Sequence, residues 1–401
     1  MIQRKQYLEE LISTREKQII KVVTGVRRCG KSTLFLLYID YLKTTGVTDD
    51  QIVLINLEEL ENEALLDYRA LYTHVKERLC KDKYTYVFID EVQNCVGFEK
   101  AIDSLFVKPN VDVHITGSNA YMLSGELATL LSGRYVTIDM LPLSFSEYCE
   151  INRRNEKSAL QNFNDYLHFG SFPYVAELPR NDSDVMPYIE GIYNTILVKD
   201  VAKREGITDI SVLESIVKFL ADNIGSIVST KKISDTINSS GRRISANTVD
   251  RYLHALTDSY IFYKVDRYDV KGRQHLKTLS KYYMIDTGIR NMLLSGSSPD
   301  KGHLIENVVY FELLRRNGKV NIGKVAEREV DFVARDMDGI TYYQVSASVM
   351  DEATLQREID PLRKIPDNHP KVLLTLDEIG AGANHNGIRQ MNLLDWLLIE
   401  D

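Results

Sequence analysis

Apolar and polar positions follow two rhythms along this chain. Dense β-branched runs occur at IIKVVTGV (19–26), IVLINL (52–57), YTYVFIDEV (84–92) and VDVHITGS (111–118), with helical spacing between them at 32–43 and 66–79. Fully apolar strands alternating with helices predict a parallel sheet covered on both faces. The rhythm changes after LPLSFSEYCE (141–150). Residues 152–165 are polar and read as loop or surface helix, GSFPYVAEL (170–178) carries a Gly/Pro turn, and 184–223 is helical in period. From 229 to 270 the order is a short helix (232–238), a Gly-containing turn, a second helix from Ser245 or Asn247, and the alternating strand IFYKVDRY. That is the order of a winged helix-turn-helix. A last unit begins near Leu279, with strands at 282–286, 324–335, 340–348 and 371–376 and helices at 303–318 and 355–365. These breaks predict an α/β protein with domains at 1–150, 151–278 and 279–401: a parallel-sheet domain, a helical region with a winged helix, and a second α/β domain.

Composition narrows the function. Of 401 residues, 44% are hydrophobic and 26% charged, which excludes a largely disordered chain. The net charge of −8 excludes a uniformly basic body that coats nucleic acid. Residues 226–281 nevertheless hold eleven basic and five acidic side chains. This makes 229–281 a candidate face for duplex DNA, with a lid or protein-contact module as the competing reading. Cys29, Cys80, Cys95 and Cys149 form no CxxC pair, so a reduced, cytoplasmic protein is expected. The charged N-terminus and the lack of a run near ~18 apolar residues predict neither a signal peptide nor a membrane partner.

The chemistry concentrates where the first strand ends. GVRRCGKST places Gly25, Gly30, Lys31 and Ser32 in the spacing GxxxxGK[ST] between a strand and a helix. Backbone N–H groups from Gly25, Val26, Arg27, Arg28, Cys29, Gly30, Lys31, Ser32 and Thr33 would cradle phosphates, aided by the helix N-terminus. Lys31 would reach the β- and γ-phosphates and the Ser32 hydroxyl would ligate Mg²⁺. Arg27 and Arg28 face nucleotide, a second subunit or solvent. YVFIDE ends in Asp90, expected to hold Mg²⁺ through water, and Glu91, expected to polarise the attacking water. Ser118 and Asn119 close the next strand, where they either orient that water and the γ-phosphate or form a simple turn. Arg134 is a candidate for stabilising transferred charge, on its own chain's nucleotide or a neighbour's, against a plain surface role.

GVRRCGKST, FIDEVQ, ITGSNA, SGRYVTIDMLPLSFSEY and FGSFP, in this order, resemble a family of prokaryotic AAA-type ATPases whose ATPase domain precedes a region of unknown function. TVDRYLHALTDSYIF, YYMIDTG, HLIENVVYFELLRR and EVDFVAR extend the resemblance over nearly the whole chain. It implies an ASCE-type P-loop sheet with an extra strand between those of Lys31 and Asp90. It also implies a nucleotide site made of Gly25 to Thr33, Asp90, Glu91, Asn119 and Arg134.

The 279–401 unit resembles the PD-(D/E)xK nucleases, with Glu306 on a helix and Asp331 on the following strand. Their acids hold Mg²⁺ and their lysine positions or activates water. Here the acid-x-lysine element reads Gln344-Val345-Ser346, so a carboxylate and an ammonium are missing. Glu306, Asp331 and Gln344 are expected to come near one another, Ser346 cannot supply the missing positive charge, and the unit is expected not to cut DNA. The expected function is an ATP-binding and ATP-hydrolysing switch or remodelling protein that uses ATP and Mg²⁺, with DNA, another protein or a second copy of itself as partner. The rivals are an ATP-gated metal-dependent nuclease and a DNA-binding regulator that does not turn ATP over.

Overall fold

The computed structural model describes residues 2–399 apart from 119–130, 132, 156, 204, 271, 273, 295–300 and 338. The chain divides into two compact units, residues 1–142 with 258–260, and residues 143–257 with 261–401.

In the first unit the apolar runs form strands β1 (Ile20–Thr24), β2 (Ile52–Asn56), β3 (Thr85–Asp90) and β4 (Val111–Gly117). A fifth strand, β5 (Tyr135–Asp139), lies at the sheet edge and is mostly half-buried, so its mixed sequence does not stand out in the hydrophobic pattern. All pairings are parallel, in the order β2-β3-β4-β1-β5. β4 therefore lies between the strands that lead to Lys31 and Asp90, as the resemblance implied. Helices α1 (Lys5–Ser13), α2 (Lys31–Thr44), α3 (Tyr68–Lys76) and α4 (Phe98–Phe106) accompany the sheet. α3 starts where the Asp67 carboxylate accepts the Arg69 and Ala70 N–H groups, satisfying otherwise orphaned donors. Val53, Ile55, Val87, Ile89, Leu71, Ile102 and Leu105 share one core cluster. Every residue of β1 and β3 is buried, Lys21 included, which explains their predominantly apolar reading. Parallel strands put all their C-terminal ends on one edge, and the loops after β1, β3 and β4 share it.

The second unit begins with helices α5 (Phe145–Ile151), α6 (Ala159–Phe169), α7 (Asp182–Thr195) and α8 (Ile210–Asp222). The polar stretch read as loop or surface helix contains α6, started by a Ser158–Gln161 capping box and burying Phe163, Tyr166 and Leu167. The helical stretch 184–223 is α7, continued by a π-helical segment at Ile196–Ala202, and α8, with a break near Gly206 at φ +59°. There follow β6 (Ile227–Val228), α9 (Thr230–Ser239), α10 (Ala246–Asp258), β7 (Phe262–Asp269), β8 (Gln274–Met284), α11 (Thr287–Leu293) and α12 (Lys301–Asn317). The chain ends with β9 (Lys319–Val325), β10 (Arg328–Arg335), β11 (Ile340–Ser346), α13 (Glu352–Arg363), β12 (Lys371–Thr375), β13 (Ile388–Asn392) and α14 (Leu393–Leu398). These strands make one mixed sheet in the order β13-β12-β11-β10-β9-β7-β8-β6. The boundary expected at 278/279 falls inside β8. β7 pairs with both β8 and β9, so hydrogen bonding joins the helical region and the last α/β region into one body.

Two signature segments far apart in sequence meet here. The buried Asp286 carboxylate of MIDTG accepts the Ser171 N–H and hydroxyl of FGSFP, and caps α11 through the Ile289 N–H at 3.0 Å. Gly170 has φ +85°, and a Cβ there would lie 2.3 Å from Asp286 Oδ1, so glycine is required.

Candidate nucleotide site

β1 leads straight into the GxxxxGK[ST] loop. Gly25 has φ +144°, and a Cβ on it would stand 2.1 Å from the Met140 carbonyl oxygen. Arg28 and Gly30 also take positive φ, at 66° and 107°, so the backbone curls before α2 begins at Lys31. Lys31 is buried. Its Nζ donates to the carbonyl oxygens of Gly25 (3.0 Å) and Val26 (3.2 Å) and lies 3.7 Å from Glu91 Oε1. Cys29 is fully buried, and burial pushes its thiol upward, so its side chain packs while its backbone shapes the loop.

Asp90 and Glu91 emerge from the end of β3. Asp90 accepts hydrogen bonds from the Ser32 and Thr116 hydroxyls. Burial pushes its carboxyl above the usual range, and those two hydroxyls offset this only in part. Glu91 sits at φ 52°, its N–H bonded to Thr116 Oγ1 at 2.9 Å. Ser118 Oγ donates to Glu91 Oε2 at 3.0 Å, and the Gln93 amide donates to the same oxygen. Burial opposes ionisation of Glu91, but Lys31, Arg27 and these two donors outweigh it and hold the carboxyl below its usual range. Glu91 is thus a charged carboxylate in fixed orientation, as water activation requires.

Lys31, Ser32, Asp90, Glu91 and Ser118 come together; the other expected residues do not all join them. Arg27 pairs with Glu58 at 2.7 Å and adds positive potential at Glu91, while Arg28 is exposed. Asn119 lies outside the described residues. Arg134 is a correction to a same-chain role. Its carbonyl accepts the Ile20 N–H, at the start of β1, so it occupies the opposite edge of the sheet from Gly25. That is roughly 15 Å of strand away. Its guanidinium lies 3.5 Å from Asp103 and over the Phe106 ring at 5.5 Å.

Arg4 was not anticipated. It is buried, and donates to the carbonyl oxygens of Cys29 (3.2 Å) and Leu141 (2.6 Å), bracing the loop from below. Nothing local marks it, since its partners lie 25 and 137 residues away. Thr116 was also missed; the hydroxyl two residues before Ser118, on the same strand face, was the available signal.

The residues present fit Mg-ATP. The curled loop offers N–H groups, Lys31 spends its protons on carbonyls that phosphate oxygens can replace, and Ser32 and Asp90 already touch. Among the described residues no three His, Cys, Asp or Glu side chains gather as a metal cage. A magnesium carried by nucleotide needs none, because phosphates and waters complete its shell.

In the second unit Glu306 (α12) acts electrostatically on Asp331 (β10), which in turn neighbours Gln344 (β11). The Asp331 N–H lies 3.4 Å from Gln344 Oε1, and Val345 N–H donates to Asp331 Oδ2 at 2.8 Å. The Ser346 hydroxyl donates to the Ser348 carbonyl at 3.0 Å. Lys281, counted above among the basic residues of the DNA-binding candidate, is buried against Glu306 at 2.9 Å and cannot face solvent. Its place two residues before buried Tyr283, on the same strand face, was the missed signal.

Comparison with known proteins bears on the domain that carries this site. Residues 17–149 match the family described as AAA domain, and residues 160–300 match a domain of unknown function (DUF8612). The chain is 38% identical to an uncharacterized protein of Haemophilus influenzae over 99% of both chains. It belongs to that family of AAA-domain proteins. An uncharacterized protein of Methanocaldococcus jannaschii is 30% identical over 78% of this chain and 71% of its own length. Among solved structures, a Walker-type ATPase of Pyrococcus abyssi superposes with a TM-score of 0.52 at 15% identity, covering 73% of this chain and 96% of the other. That likeness concerns the fold. The AAA-type ATPase domain is therefore established by sequence family and by architecture. No helix among the described residues is long and apolar enough to cross a membrane.

Proposed function

We propose that this protein binds Mg-ATP at the loop after β1, hydrolyses it, and uses the nucleotide state to switch its contacts with a partner. The observation that carries the reading is the meeting of Lys31, the Ser32–Asp90 pair and an ionised, oriented Glu91 on one sheet edge. Bound Mg-ATP supplies the phosphoryl group and the metal charge that screens it. The loop N–H groups hold the phosphates, and Lys31 turns from the Gly25 and Val26 carbonyls to them. Glu91 accepts a hydrogen bond from the attacking water, with Ser118 and Gln93 fixing its carboxylate. Arg134 serves the nucleotide of a neighbouring copy.

Helices α8, α9 and α10 with β6, β7 and β8 make the winged helix of this reading. Its exposed Lys231, Lys232, Arg242, Arg243 and Arg251 offer phosphate contacts to duplex DNA. The test measures nucleotide affinity and phosphate release together. Lys31→Ala is expected to lose ATP binding, and Glu91→Gln to keep binding and lose turnover. Unchanged affinity in folded Lys31→Ala would refute the site. Arg242→Glu with Arg243→Glu is expected to weaken duplex binding and flatten its salt dependence; wild-type protein that ignores duplex at low salt would remove DNA as the partner.

A further inference from the structure

Several carboxylates and one ammonium meet inside the second unit, in a place the nucleotide site does not use. Lys281 pairs with Val265 at the point where the register of β7 and β8 shifts. β7 and β9 pair only over Arg267–Asp269 and Ile322–Lys324, so the sheet forks beyond Val265. The Lys281 Nζ lies 2.9 Å from Glu306 Oε1 on α12 and 2.6 Å from Glu329 Oε1 on β10, and it acts electrostatically on Asp331. Tyr283 donates its hydroxyl to Glu306 at 2.6 Å. Gly225, at φ +69°, brings the chain against the other side of Glu306, where a Cβ would stand 3.2 Å from Oε2.

Clustered buried carboxylates are costly without a compensating cation, and that cation can be a metal or an ammonium. Here the ammonium is already in contact with the buried Glu306 and the partly exposed Glu329. A magnesium ion would need oxygen ligands at about 2.0–2.1 Å in an octahedron, next to a fixed positive charge. The neighbouring groups are also engaged. Gln344 donates its amide to Glu358 at 2.9 Å and accepts the Asp331 N–H, while Asp331 Oδ2 accepts the Val345 N–H. A carboxylate at position 344 would face Glu358 without a proton between them, which accounts for the amide.

We propose that Lys281 is the resident cation of this pocket. It closes a nuclease-like carboxylate cluster into a metal-free staple that ties the β7–β8 hairpin to α12 and β10. The ammonium stands where a divalent ion would have to enter, so the pocket takes metal only when the lysine is removed. Burial and Glu306 keep the Asp331 carboxyl well above its usual range even with Lys281 nearby, consistent with a pocket whose single resident cation does not balance all its acids.

The test is a titration of nucleotide-free protein with Mn²⁺, following free ion by electron paramagnetic resonance. Wild type is expected to show no stoichiometric site at millimolar Mn²⁺. Lys281→Met is expected to gain one site per chain, at least tenfold tighter than any wild-type binding, and to lose it again when Asp331→Asn is added. A wild-type site that vanishes in Asp331→Asn would overturn the proposal, as would Lys281→Met that is folded by Trp396 fluorescence and gains nothing. If Lys281→Met does not fold, Lys281→Met with Glu329→Gln relieves one charge and repeats the test. The wild-type arm stands by itself: an Asp331-dependent site refutes the proposal and its absence supports it.

Discussion

Lys31 and Lys281 are both buried lysines facing carboxylates, yet their partners differ in kind. Lys31 gives its protons to two loop carbonyls and keeps 3.7 Å from Glu91. Lys281 is in direct contact with both Glu306 and Glu329. The first ammonium is held by neutral acceptors that an incoming phosphate can outcompete, and its acid neighbour is held ionised. The second is saturated by fixed anions, and Asp331 beside it is pushed toward its neutral form. A lysine poised for a ligand is underused by its own protein; a lysine that has become structure is not.

The sharpest way to break this contrast is to neutralise one acid in each site. Glu91→Gln should lower phosphate release by about 10²–10⁴-fold, the usual range for losing a positioned general base. Asp331→Asn should leave turnover within about twofold, since it touches no nucleotide group. A nuclease-type enzyme gated by ATP would instead lose DNA cleavage in Asp331→Asn.

Removing the structural ammonium should show next. Lys281→Ala removes the ion-pair partner of the buried Glu306, a loss of about 3–5 kcal/mol. For a unit of this size that is a fall of roughly 10 °C in the unfolding midpoint. Trp396, the single tryptophan and buried in α14, reports that transition by fluorescence. An unshifted midpoint would show that Lys281 is not a staple.

A third buried lysine extends the comparison to pH. Lys21 hydrogen-bonds Asp112, and His114 lies 3.9 Å from Asp112 and stacks on Phe88 at 4.6 Å. Burial holds the His114 pKa down to about 4, against the pull of Asp112. The unfolded chain, with a histidine near 6.5, then binds more protons than the native one. This contribution to stability is complete above pH ~6.5 and is lost as pH falls toward 4, about 3 kcal/mol in all. His114→Phe should flatten that slope in unfolding followed by circular dichroism.

The smallest effect expected is at Arg134. Arg134→Ala in dilute protein should change ATP affinity less than about twofold, because the residue stands at the far edge of the sheet from its own loop. A large loss of affinity in a demonstrated monomer would place it in its own site after all.

What could be read from the sequence follows from range. GVRRCGKST and YVFIDE are local patterns whose chemistry lies in adjacent residues, so they were legible. The approach of Asp331 to Gln344 and Glu306 was legible through the order of strands. Arg4 was not, because its partners lie 25 or more residues away and nothing local marks it, and Lys281 was signalled only by its alternation with Tyr283, its partner Glu306 lying 25 residues on. The domain boundary at 278/279 failed for a related reason: a drop in helical periodicity marks the start of a strand, not which sheet the strand will join.

The central contrast is tested most directly by counting protein-associated Mn²⁺ after gel filtration, with and without a non-hydrolysable ATP analogue. The account predicts one ion per wild-type chain with the analogue, none without it, and none in Lys31→Ala under either condition. Stoichiometric Mn²⁺ on nucleotide-free wild type, or none with the analogue present, would contradict it.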